Sequence, residues 1–112
     1  MKKESPAHKA LIYVLKCPLE DVKTLSVEGI AKAIKSNRTY LSATFGNRMK
    51  CTLEEVIINE KISRSKEILK TSSGIPIKDL ATMMGFSESN YFIKIFRKRV
   101  GIPPGEYRKL WR

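Results

Sequence analysis

Histidine is nearly missing from this chain of 112 residues: His8 is the only one, and Cys17 and Cys51 are the only cysteines. One histidine and two distant thiols without a CxxC spacing provide neither a zinc ligand set nor a disulfide framework. The expectation is therefore two unpaired thiols in a cytoplasmic protein that needs no metal or other cofactor. No apolar run approaches the roughly 20 residues that cross a bilayer, and no apolar stretch long enough for a signal peptide follows Met1-Lys2-Lys3. A phosphate-binding glycine loop of the GxxxxGK type is absent, as is a plausible Cys/His dyad, so an enzyme is not expected. A membrane is not expected as partner either, because packing uses up the apolar stripes.

Acidic residues are also scarce. Eleven Asp and Glu stand against 22 Lys and Arg, a net charge of +11. Such a field attracts polyanions, nucleic acid first among them. The excess is uneven: residues 1–60 hold 10 basic and 7 acidic side chains, residues 61–112 hold 12 and 4.

Strand-like alternation is absent throughout, and the apolar residues recur with helical spacing. A first helix runs from Ala10 onward between Pro6 and Pro18. Ser26 is placed to cap a short helix carrying Val27, Ile30, Ala31 and Ile34. Asn37 is placed to cap the next, whose expected buried stripe is Tyr40, Leu41 and Phe45. A long unbroken segment follows from Leu53 to Lys70, with Leu53, Val56, Ile57, Ile62, Ile68 and Leu69 on its apolar side, and Ser72-Ser73-Gly74 reads as a loop. Pro76 opens a short helix with Ile77, Leu80, Ala81 and Met84 inward. After the turn Gly85-Phe86-Ser87, Ser87 is expected to cap a helix holding Tyr91, Phe92, Ile95 and Phe96. Pro103-Pro104 starts a closing helix with Tyr107, Leu110 and Trp111 as expected anchors. The fold class expected is all-α, with about seven helices.

An internal repeat carries the functional information. Ile30 to Ile34 corresponds to Leu80 to Met84, fifty positions on; Tyr40-Leu41 and Phe45 correspond to Tyr91-Phe92 and Phe96, fifty-one on. Each copy is a short helix, a tight turn and a second helix locked onto the first. This is helix-turn-helix geometry, in which the second helix enters the major groove of DNA. The expected organisation is a first lobe over residues 1–50, a linker helix over 51–71 and a second lobe over 72–112. About 18 linker residues at roughly 1.5 Å each span some 27 Å, near the pitch of about 34 Å of one DNA turn, so both recognition helices can enter successive major grooves.

The run Ile77-Lys78-Asp79-Leu80-Ala81, Gly85-Phe86-Ser87, Asn90-Tyr91-Phe92, Phe96-Arg97-Lys98 and Gly101 to Arg108 resembles the DNA-binding domain of AraC/XylS-type transcription regulators. The resemblance extends over essentially the whole chain. It implies two helix-turn-helix lobes joined by a long helix, and sequence-specific regulation of bacterial promoters. The first copy departs from the family in three places and the linker helix in one. Lysine stands at Lys35 and Lys50 where glycine is usual, Gly46-Asn47 replaces basic residues, and Glu60 takes a usually apolar position.

With Phe92 and Phe96 inward, Asn90, Ile93, Lys94 and Arg97 fall on one outward strip at i, i+3, i+4 and i+7. Asparagine pairs bidentately with adenine, lysine and arginine reach guanine acceptors, and isoleucine suits a thymine methyl. The corresponding strip in the first copy is Thr39, Ser42, Ala43 and Gly46, with Arg38 beside it. Two readings stand for it: shape fitting with methyl contacts by Arg38, Thr39, Ser42 and Ala43, or a recognition helix in name only. Phosphate contacts are expected from Lys61, Lys98, Arg99 and the helix starts at Asn37 and Ser87. The partner expected is double-stranded DNA, with RNA polymerase as a second candidate and the isolated domain monomeric. The competing class is a basic helical interaction module that docks on the transcription machinery. The length favours an excised C-terminal domain over a complete small regulator.

Overall fold

A computed structural model describes residues 5–71 and 74–111, and among these every regular element is helical. In chain order they are α1 (Pro6–Lys16), a 3₁₀ helix (Leu19–Thr24), α2 (Val27–Ala33), α3 (Arg38–Met49), α4 (Leu53–Thr71), α5 (Ile77–Met83), α6 (Ser89–Val100) and α7 (Pro104–Lys109). The chain divides into two compact units between Glu60 and Lys61, so α4 gives its first part to one and its second part to the other.

In the first unit, local chemistry fixes where helices start. Ser5 Oγ accepts the His8 N–H at 3.1 Å, and Pro6 occupies the first helical position, where its missing N–H costs nothing. Ser26 caps α2 by accepting from Gly29 at 3.0 Å, and Asn37 caps α3 by accepting from Tyr40 at 3.0 Å, both as the sequence predicts. Thr52 and Glu55 form a reciprocal box at the head of α4: the Glu55 N–H donates to Thr52 Oγ1 at 3.1 Å and the Thr52 N–H to Glu55 Oε1 at 3.3 Å. The core is aliphatic around one ring. Ala7, Ala10 and Val14 of α1 and Ile30 and Ala31 of α2 surround Leu41 and Phe45 of α3, with Leu53 and Ile57 of α4 completing the cluster. Small residues on α1 allow it to lie close to α3.

Tyr40 is not part of that stripe; it is 58% exposed. It precedes Leu41 by one residue, about 100° around the helix from the Leu41–Phe45 line, and its ring turns outward. The 3₁₀ helix is an element that periodicity does not reveal, because six residues give too few repeats to read. Its Val22 is buried, and Thr24 Oγ1 donates to the Asp21 carbonyl at 2.9 Å.

The second unit is organised around rings. Phe86, Phe92, Phe96, Tyr107 and Trp111 follow one another with successive centroid distances of 5.2, 5.9, 5.6 and 6.1 Å, all tilted or edge-on. Leu80, Ala81 and Met84 of α5 are buried with Phe92 and Phe96 of α6. The Arg108 guanidinium donates to the Ile75 carbonyl, tying α7 to the segment before α5. On α4, Ile62, Ser65 and Leu69 form the buried face, and Ser65 satisfies its hydroxyl by donating to the Lys61 carbonyl at 2.8 Å.

Two expectations fail in this unit. Glu88, not Ser87, precedes the first turn of α6, and no side chain caps that helix. The second turn is one residue longer than the first, which leaves Ser87 one position too early. Leu110 and Trp111 are 67% and 51% exposed rather than anchors. α7 ends at Lys109, so Leu110 does not continue the buried face of Pro104 and Tyr107, and the Trp111 ring lies at the surface with Lys70 Nζ 4.6 Å from its centroid. The expected loop at Ser72-Ser73 lies outside the described residues.

Candidate nucleic-acid interface

Each unit presents the second helix of its motif through the same termination of the first. α2 and α5 both end with paired reverse hydrogen bonds and one residue of left-handed backbone, Lys35 in one and Gly85 in the other. A Cβ disfavours that conformation, and Lys35 adopts it nonetheless at φ 58°.

On α6, Phe92 and Phe96 are fully buried, which turns the opposite face outward. Asn90, Lys94 and Arg97 are exposed and Ile93 is half-buried at the foot of the strip. Ile93, Lys94, Arg97 and Lys98 line one shallow depression that reaches Gly101. Asn90 lies one turn before Lys94 on the same face, and Lys98 and Arg99 extend the basic surface toward the end of the helix. α6 thus carries four cations and no acid. Ser87 is exposed ahead of the helix.

α3 is oriented by the burial of Leu41 and Phe45. Thr39 and Ala43 are exposed, and Ser42 and Gly46 are half-buried between them. A Cβ built on Gly46 would meet nothing within 4 Å, so the absent side chain leaves open space rather than a filled surface. Arg38 is exposed and opens on a depression that Glu28 and Glu54 also line. Asn37 is exposed, and its side-chain oxygen is occupied by the cap.

Lys61 stands apart from these strips. It is half-buried with its ammonium 5.6 Å from the centroid of Phe86, and burial pushes its pKa below the ordinary lysine value. The exposed rings of Tyr40 and Tyr91, the latter 50% exposed, belong to the outer surfaces of α3 and α6 and were not separable from the inward stripe by composition. Their signal is positional: each directly precedes an inward residue at equivalent places in the repeat.

Residues 30–110 match the family model described as a helix-turn-helix domain. The chain belongs to the AraC/XylS-type helix-turn-helix family. It is 30% identical over 115 residues to an uncharacterized HTH-type transcriptional regulator, YfiF, of Bacillus subtilis, a match covering 99% of this chain and 36% of that protein. The melibiose operon regulatory protein of Escherichia coli is 31% identical over 88 residues, covering 79% of this chain and 29% of that protein. Across these two relatives the chain spans only about a third of their length. Among solved structures, the C-terminal domain of AraT, a response regulator from Geobacillus stearothermophilus, superimposes with a TM-score of 0.79 at 22% identity, covering 98% of this chain and 88% of that one. The DNA-binding domain of AdpA, a global transcriptional factor solved in complex with a target DNA, gives 0.77 at 22% identity, covering 93% and 94%. The fold of this AraC/XylS-type chain is therefore that of two helix-turn-helix units, all-α throughout the described residues.

Among the described residues no group of three or more His, Cys, Asp or Glu could hold a metal ion, and no helix is long and apolar enough to cross a membrane. Cys17 is buried, its Sγ donating to the Pro18 carbonyl at 3.5 Å, and Cys51 is half-buried.

Proposed function

We propose that this chain is the DNA-binding part of a bacterial transcription regulator, and that it holds double-stranded DNA sequence-specifically with α3 and α6 in successive major grooves. One observation carries the reading: two copies of the same helix-turn-helix unit, each with its second helix turned outward, in a chain of net charge +11. Residues 1–50 and 72–112 act as the two DNA-binding lobes, with 51–71 as linker helix.

Base edges are read by Asn90, Ile93, Lys94 and Arg97, and more weakly by Arg38, Thr39, Ser42 and Ala43. Phosphates are held by Lys98 and Arg99, by Lys61, and at the helix starts by Asn37 and Ser87. Such a regulator works in the cytoplasm as a monomeric DNA-binding unit, and RNA polymerase at the same promoter is its second partner.

Titration on duplex DNA across salt concentrations tests the reading. About five to eight phosphate contacts should make log affinity fall with log salt at a slope of about −0.9 per contact. A slope near zero, or equal affinity for every sequence, would refute it.

A further inference from the structure

The two copies of the motif share their backbone turns and differ in the residues placed there. At the end of α2, the Lys35 N–H donates to the Lys32 carbonyl at 3.1 Å and the Ser36 N–H to that of Ala31 at 2.8 Å. At the end of α5, Gly85 donates to Thr82 at 3.0 Å and Phe86 to Ala81 at 2.9 Å. The pattern requires left-handed backbone at its central residue, and φ is 58° at Lys35 and 88° at Gly85. The two recognition helices also end alike. The Lys50 N–H donates to Gly46 at 3.1 Å with φ 62°, and Gly101 donates to Arg97 at 2.8 Å with φ 104°.

Glycine takes this conformation without a Cβ clash and would keep every one of these hydrogen bonds. The second unit has it at both places. The first unit has lysine at both, and Lys35 and Lys50 are the only non-glycine residues of positive φ among the described residues. Both are exposed, one just before α3 and one at its end. The helix between them holds Arg38 and Arg48, but its outward strip, Thr39, Ser42, Ala43 and Gly46, carries no cation, whereas the corresponding strip of α6 carries Lys94 and Arg97, with Lys98 and Arg99 following. A further lysine, Lys9, lines the same depression as Lys35. Strained backbone persists where a side chain is needed at that point.

We infer that Lys35 and Lys50 bind the phosphodiester oxygens of duplex DNA on either side of α3, and that the left-handed backbone at both positions is retained for their ammonium groups. The inference rests on the DNA-binding reading above and adds a second, sequence-blind mode of grip to it. The first unit clamps the backbone at the ends of its helix, where the second places its cations along the helix itself.

The test compares the unaltered chain, the double variant Lys35→Gly/Lys50→Gly and the double variant Lys35→Arg/Lys50→Arg. Each is melted and titrated with a duplex selected by the unaltered chain. The glycine variant should melt higher by roughly 2–5 °C, as relief of strain requires. Its slope of log affinity against log salt should flatten by about 1.8, or about 0.9 per lost contact, with affinity about tenfold weaker and preference over a scrambled duplex unchanged. The arginine variant should keep the wild-type slope. A glycine variant with an unchanged slope overturns the inference, as does one that melts no higher than the unaltered chain. If the unaltered chain binds duplex normally while the variant slope stays fixed, this inference alone fails. If the unaltered chain binds no duplex at all, the function it rests on fails with it.

Discussion

In the first unit, Ser5, Ser26 and Asn37 each accept a backbone N–H at 3.0 to 3.1 Å, and α1, α2 and α3 each start on such a cap. In the second, α5, α6 and α7 follow Pro76, Glu88 and Pro103 with no side-chain cap at all, and the file of rings Phe86, Phe92, Phe96 and Tyr107 holds the unit together instead. The first has lysine in its two left-handed positions; the second has glycine. Yet the inward pairs Leu41/Phe45 and Phe92/Phe96 and the hydrogen bonds of the turn coincide. The motif depends on the turn and on one buried pair at i, i+4. Helix starts, ring content and outward residues are free to diverge, and the outward residues are where the two units differ in what they offer a nucleic acid.

That contrast can be broken most forcefully in the cores. Phe96→Ala should cost roughly 3–5 kcal/mol in denaturant unfolding. Phe45→Ala should cost less by about 0.5–1.5 kcal/mol, because Phe96 also stacks on Phe92 and Tyr107 while Phe45 sits among aliphatic side chains. Equal losses would show that the aromatic file adds nothing beyond buried area.

The outward strips come next. Asn90→Ala and Lys94→Ala should each weaken binding to the preferred duplex by about 1–3 kcal/mol and relax sequence preference, whereas Ser42→Ala should cost well under about 1 kcal/mol. The reverse ranking would move base readout to the first unit.

The helix starts give a smaller effect. Asn37→Ala should lower stability by about 1 kcal/mol through the lost cap, and Ser87→Ala, which removes no cap, should stay within about 0.5 kcal/mol. Comparable losses at the two sites in thermal melts would place a cap at Ser87 after all. Smallest in stability, but informative for binding, is Gly46→Arg. The space around a Cβ there is open, so a helix former should stabilise α3 by about 0.5–1 kcal/mol and bring a cation to the strip, tightening duplex binding. Tighter helix packing with unchanged affinity would mean that α3 does not face the DNA.

What could be read from the sequence is what depends on neighbours within one turn of helix. Ser26 and Asn37 cap as expected because a cap involves only three residues of backbone, and Phe92 and Phe96 point inward because i, i+4 spacing leaves them no other common direction. The outward positions of Asn90, Lys94 and Arg97 follow from the same geometry. Tyr40 was not legible, since an aromatic next to a buried leucine has the composition of a core residue and only the helix phase excludes it. Trp111 misleads for another reason, since it falls four residues after buried Tyr107 but beyond the end of α7, and Ser65 is hidden because a hydroxyl can be buried once the carbonyl four residues back accepts its proton. Arg38's company with Glu28 and Glu54 joins three helices across the sequence, a relation no local pattern contains. The glycine-like conformation of Lys35 and Lys50 was legible only through the family pattern and the internal repeat, because lysine itself carries no signal for left-handed backbone.

The most direct measurement is selection by this chain from a random duplex library, followed by sequencing of what is retained. The account predicts enrichment of a bipartite site, its two halves about one helical turn apart, with stronger base preference in one half. The stronger half should lose its preference in the Asn90→Ala variant and keep it in Ser42→Ala. A library returned without enrichment, or a single site indifferent to Asn90, would contradict it.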